Sequence, residues 1–141
     1  MARELSIHPL DLELDTAIGI KLNPSEVKGN TFISSYTTLE QAKTNLLCLV
    51  LTNEGERVMH PTFGVGIAKL LFEPMDSALP SKIKERVISK INTWLPYIDV
   101  KNIMVNINTD LHLIEIQIDF SLNGNEFDTD SIVIELSLPP A

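Results

Sequence analysis

No apolar run in this chain reaches the roughly eighteen residues that a membrane-crossing helix requires. Residues 1–10 lack the basic start and apolar middle of a secretory leader, so the expectation is a cytoplasmic protein with no membrane partner. Cysteine is nearly missing: the single Cys48 cannot make an internal disulfide, and its place within the apolar residues 46–51 marks it as a buried thiol, not a nucleophile. The three histidines, His8, His60 and His112, stand apart, without H-x-x-x-H or C-x-x-C spacing, so no metal site is expected. Gly64 and Gly66 are not followed by the Lys-Ser/Thr pair of a phosphate loop, and no G-x-S-x-G nucleophile motif occurs. No cofactor is expected.

What is present is an ordinary globular composition. The 141 residues are 44% hydrophobic and 21% charged, enough for one domain with a proper core. The net charge of −8 is unevenly placed. Residues 99–141 hold eight acidic side chains (Asp99, Asp110, Glu115, Asp119, Glu126, Asp128, Asp130 and Glu135) against the single Lys101. Lys82, Lys84, Arg86 and Lys90 meanwhile face only Glu85 in their stretch. An acidic pole repels phosphate backbones and steers a basic protein partner. Basic residues interleaved with aromatics are also missing, so no nucleic-acid partner is expected.

Periodicity divides the chain. Leu5, Ile7, Leu10, Leu12 and Leu14 alternate, which predicts an extended arm or edge strand broken at Pro9. Residues 23–35, with Pro24, Gly29 and paired serines, read as a polar connector. Thr37 or Thr38 can cap a helix reaching Leu51, with Gln41 three residues after Thr38 as a capping box prefers, and a stripe of Leu39, Ala42, Leu46, Leu49 and Val50. A short helix fits residues 67–72. A longer one fits 77–94, with Ile83, Val87, Ile88 and Ile91 on one face and Pro96 as its stop.

Beyond Pro96 the period falls to two. Ile98, Val100, Ile103, Val105 and Ile107 predict a strand that slips near Lys101 and Asn102; Leu111 and Leu113, then Ile114 to Phe120, predict the next. Asn123-Gly124 suits a type I′ hairpin turn, and Ile132, Ile134, Leu136 and Leu138 alternate up to Pro139. The expected class is α+β: about three helices on one face of a small, mainly antiparallel sheet. The expected division is an extended arm and connector over residues 1–36 and a single domain over 37–141, with helices in 38–95 and strands in 98–138.

The most informative stretch is residues 46–74, LLCLVLTNEGERVMHPTFGVGIAKLLFEP, where a helix runs into a punctuated loop. Asn53, Gly55, Pro61, Gly64 and Gly66 favour a fixed irregular crossing. Glu54, Glu56 and Arg57 can be tied together by carboxylate–guanidinium hydrogen bonds. Val58, Phe63 and Val65 give the loop an apolar underside. The order T-N-x-G-E-R-V, then P-x-F-G, then L-F-E-P resembles the central motif of baseplate wedge proteins of contractile-tailed bacteriophages, a family shared with type VI secretion baseplates. The likeness covers about residues 38–118. It implies a structural protein of the virion tail baseplate, assembled in the host cytoplasm, six copies around the tail axis, and partners among the other wedge and hub proteins, the tail-sheath subunit and, beyond them, the tail-tube protein. Where the family has Glu-Pro-Arg after the long helix, this chain has Leu95, Pro96 and Tyr97. The resemblance implies that this segment docks on neighbouring wedge subunits, here through Trp94, Leu95 and Tyr97 in place of ionic contacts.

The family's sheet resembles the strand-exchange part of the sheath subunit. Residues 131–138 are accordingly expected to accept a partner strand, with Ile132, Ile134 and Leu136 in the strand and Asp128, Asp130 and Glu135 setting partner choice. The docking loop contributes Glu54, Glu56, Arg57 and Phe63. Two alternatives stand beside this reading. One is a wedge brace that never touches sheath. The other is a cell-wall hydrolase using a carboxylate pair, Glu54 with Glu56 or Glu73 with Asp76.

Overall fold

The computed structural model describes residues 9–21, 33–70, 72–74, 76–122 and 125–137. The expected Asn123-Gly124 turn, the strand end at Leu138 and Pro139, and the first part of the N-terminal arm lie outside the described residues.

Helix α1 spans Thr38–Leu51, the short helix α2 Ile67–Leu70, and helix α3 Leu79–Trp94. Thr37 is the cap of α1: its hydroxyl accepts from the Glu40 amide at 3.2 Å. Glu40, not Gln41, reaches back, accepting from the Tyr36 amide at 3.1 Å and pairing with Lys21 at 2.7 Å. Burial pushes the Glu40 carboxyl up, but the Lys21 and Tyr36 hydrogen bonds outweigh it and leave its pKa below the ordinary carboxylate range. Asp11 adds a second cap, accepting from the Thr38 amide and hydroxyl, both at 2.7 Å, at the positive end of the helix dipole. At α3, Asp76 accepts from the amides of Ala78 and Leu79, and Pro80 fits the first turn because its missing N–H has no helical partner there.

Two N-terminal expectations are corrected. Pro9–Leu12 forms a 3-10 helix, not an extended strand. Ile33–Ser35, read as part of a polar connector, is strand β2 and pairs antiparallel with strand β1, Gly19–Lys21. Ser35 is buried there, its hydroxyl donating to Gln41 Oε1 at 2.6 Å. A buried serine with a helix partner carries no periodic signal, which is why the segment read as loop.

Strands β3 (Ile98–Asn108), β4 (Leu113–Leu122) and β5 (Asn125–Ser137) form an antiparallel sheet in that order, joined as a meander. The predicted slip is real: the β3–β4 register shifts between Val100 and Asn102. Leu111 does not belong to a strand. It sits exposed in the β3–β4 turn, where Asn108 Oδ1 accepts from the Asp110 and Leu111 amides and His112 takes φ 47°.

Register builds the core in rows across the sheet: Ile103–Ile118–Ile132, Val105–Ile116–Ile134 and Ile107–Ile114–Leu136. Helix α3 lies against β3, and α1 against β4 and β5, all on this one face. Leu46, Leu49, Leu79, Ile83, Val87 and Ile91 close the core from the helix side. Ile88, predicted on the buried face of α3, is exposed. Each fully buried Leu or Ile contributes on the order of 1.5–3 kcal/mol of transfer free energy. The opposite face of the sheet, carrying Met104, Val133, Glu115 and Glu135, has no helix on it among the described residues.

Candidate assembly surfaces

The loop between α1 and α2 is fastened at its base by backbone. Val65 and Gly66 amides donate to the carbonyls of Leu49 and Thr52 at 3.0 and 3.1 Å, stitching the returning chain to the end of α1. Gly64 has φ 105°, and a Cβ there would collide with the Thr52 carbonyl oxygen, so the crossing requires glycine. Higher up, the Gly55 amide donates to the Pro61 carbonyl at 2.8 Å.

Side chains then lock the loop onto α3. The expected network among Glu54, Glu56 and Arg57 does not form; each goes elsewhere. Glu54 pairs with Lys90 at 2.5 Å and with Arg86 at 3.4 Å. Lys90 also donates to the Thr62 carbonyl at 2.6 Å, so one ammonium holds both limbs of the loop. Glu56 accepts from the Asn53 amide and its Nδ2, at 2.9 and 2.7 Å. The Arg57 guanidinium lies 3.7 Å above the Phe63 ring, a cation–π contact. Phe63 and His60 both meet Trp94 edge-on, with centroids 5.3 and 5.5 Å away. Phe63 and Val65 form the predicted apolar underside. Val58 does not: it is 93% exposed.

Neither carboxylate of the Glu54–Glu56 pair has the environment of a general acid. The Lys90 hydrogen bond holds Glu54 below the ordinary carboxylate range, and the Asn53 hydrogen bonds do the same for Glu56. A general acid requires a raised value. Glu73 faces Lys82 at 3.9 Å, and Asp76 is engaged in capping α3. Cys48 is half-buried and free, and burial pushes its thiol up, away from nucleophilic character. Among the described residues no three His, Cys, Asp or Glu side chains converge as metal ligands would.

At the end of α3 the predicted docking segment divides. Leu95 is 7% exposed and belongs to the core, and Trp94 is half-covered by the loop aromatics. Only Pro96 and Tyr97 are exposed, and the Tyr97 hydroxyl accepts from Asn45 Nδ2 at 2.8 Å.

Strand β5 divides similarly. Ile132 and Ile134 are core residues at 5% and 4% exposure, and Leu136 is half-buried beside them. Asp130 lies on the helix side, where both its oxygens meet Lys43 of α1 at 3.0–3.1 Å. Glu135 is exposed on the opposite face, directly across from Glu115. The Asp128 side chain lies outside the described residues. Among the described residues β5 hydrogen-bonds to β4 on one side only, and from Thr129 to Ser137 its register is unbroken. Lys43 and Asn45 were not singled out from sequence and Lys90 only as part of a basic stretch; the ties to Asp130, Tyr97 and Glu54 span 87, 52 and 36 residues and carry no local signal.

A family model described as baseplate wedge protein gp25 matches residues 38–126. Baseplate wedge protein gp25 of Enterobacteria phage T4 is 27% identical over 108 residues, covering 77% of this chain and 82% of that protein. Similar folds occur in a tail-lysozyme candidate from Geobacter sulfurreducens, with TM-score 0.65, 21% identity, and coverage of 77% of this chain and 98% of that one. They occur also in the anti-feeding prophage baseplate, with TM-score 0.51, 17% identity and coverage of 84% and 80%. A chain of the postcontracted pyocin R2 baseplate gives TM-score 0.50, 14% identity and coverage of 85% and 99%.

Proposed function

This chain belongs to the family of baseplate wedge protein gp25, structural proteins of contractile-tail baseplates, and from that premise we propose that it is a non-enzymatic sheath initiator. In this reading the loop of residues 53–66 and the exposed Pro96 and Tyr97 seat the protein on neighbouring wedge and hub subunits. The outer edge of β5 then receives a strand of the first sheath ring.

The observation that carries the reading is the difference between the two edges of the sheet. Strand β3 is interrupted by a bulge at Lys101, and bulges and lysines are the devices that keep an edge from pairing. Strand β5 has neither from Thr129 to Ser137, and no proline. A nine-residue straight edge is what strand addition uses: backbone groups supply affinity and side chains select the partner. Glu135 is the exposed acidic selector. Asp130 acts from inside, tying the edge strand to α1 through Lys43.

Cryo-electron microscopy of the assembled tail tests this. A sheath segment hydrogen-bonded along residues 129–137 is the expected result. A β5 edge standing in solvent, with the protein wedged among baseplate subunits alone, replaces the initiator by a brace.

A further inference from the structure

The tip of the loop breaks the local rules of turns. The His60 amide donates to the Arg57 carbonyl at 3.2 Å, which puts Val58 and Met59 at the centre of a turn. Such positions favour Pro, Gly, Asn, Asp or Ser, each for a backbone reason that a β-branched valine and a long methionine do not share. Both are also far out of the core, 93% and 84% exposed, the two highest values among the large hydrophobic residues described. A local choice that opposes local propensity without a packing gain points to function.

The tip is also held still. Gly55 bonds to Pro61, Glu56 to Asn53 and Glu54 to Lys90 and Arg86, while Arg57 lies over the Phe63 ring and His60 meets Trp94 edge-on. An apolar pair presented on a braced turn binds without first being ordered, so little of its contact free energy is lost. One cation, Arg57, stands beside it. Glu54 is paired with Lys90 and Arg86 of α3 and the exposed Glu56 is held back by Asn53, whereas among the described residues Arg57 makes no ion pair.

We infer that Val58 and Met59 form an apolar plug that enters an apolar groove rimmed by carboxylates on a neighbouring baseplate subunit. Arg57 meets the rim, in a molecule whose net charge of −8 otherwise repels acidic partners. The inference rests on the baseplate reading above and narrows its loop contact to two side chains.

The test uses the full chain in its own tail particle, with p-benzoylphenylalanine in place of Val58 and, separately, the double substitution Val58→Ser with Met59→Ser. Illumination of assembled particles is expected to join position 58 to a non-sheath baseplate peptide rich in apolar residues and containing Asp or Glu. The double variant is expected to fold normally, because neither side chain is in the core, and to enter baseplates at least about 10-fold less than wild type. Crosslinks to sheath, to a second copy of this chain or to nothing, or incorporation of the double variant at wild-type level, overturn the plug. If the variant is incorporated and sheath still grows, the plug alone fails. If the position-58 photoprobe crosslinks as expected while β5 meets no sheath strand, the initiator reading alone fails.

Discussion

Glu54 joins two parts of the molecule that are distant in sequence, and its ionisation decides whether they stay joined. Folding lowers its pKa, chiefly through the Lys90 hydrogen bond. The clamp is therefore complete above the ordinary carboxylate range and drains away as pH falls through the lowered value. Because Glu54 keeps 39% of its side chain exposed, the contribution is modest, about 1 kcal/mol or less. Trp94, the only tryptophan, touches His60 and Phe63 of the same loop and so reports on it. On acidification its fluorescence is expected to change before circular dichroism shows loss of helix. Glu54→Gln is expected to remove that acid-dependent step, and a step that survives in Glu54→Gln assigns it to another group. The same residue shows how far sequence reasoning reaches. The carboxylate could be marked as an ion-pair former, but its cations sit on α3, more than 30 residues on, where no spacing rule connects them.

Strand β5 has two faces with opposite duties, and substitutions separate them. Ile132 and Ile134 complete core rows begun by β3 and β4. Removing residues 131–141 should therefore unfold the protein, each lost isoleucine alone costing about 2–4 kcal/mol, whereas Val133→Ser, on the uncovered face, should shift the melting temperature little. Thermal unfolding followed by circular dichroism makes the comparison, and a folded truncation would mean that the core rows are dispensable. On the uncovered face Glu115 and Glu135 stand directly opposite, and like charges so placed are unfavourable. Glu135→Lys is expected to stabilise the isolated protein by about 0.5 kcal/mol and, if Glu135 selects the sheath strand, to reduce sheath growth on baseplates that contain it. Gain in both properties would remove Glu135 from partner choice.

Across the whole molecule the charge is polarised, with seven of the eight net negative charges in residues 99–141. Such a field acts mainly on association rate. Raising salt from about 0.1 M to about 1 M shortens the screening length from about 10 Å to about 3 Å, so if β5 captures a basic sheath strand as proposed, capture should slow while dissociation changes less. Stopped-flow mixing with sheath subunits measures both, and a salt-independent on-rate would count against steering. The same polarity was legible from composition, as were α1, α3, the strand period, the bulge beside Lys101 and the loop's glycines, because each follows from residues close together in the chain. Periodicity and backbone sterics act within a turn or two of helix or a few residues of strand, and sequence records them directly. The β1–β2 pairing, the burial of Leu95, the Lys43–Asp130 tie and the outward aim of Val58 and Met59 came from packing. Those depend on which surfaces meet after the sheet has closed over α1 and α3, and partners up to 87 residues apart are chosen by that closure and not by their spacing.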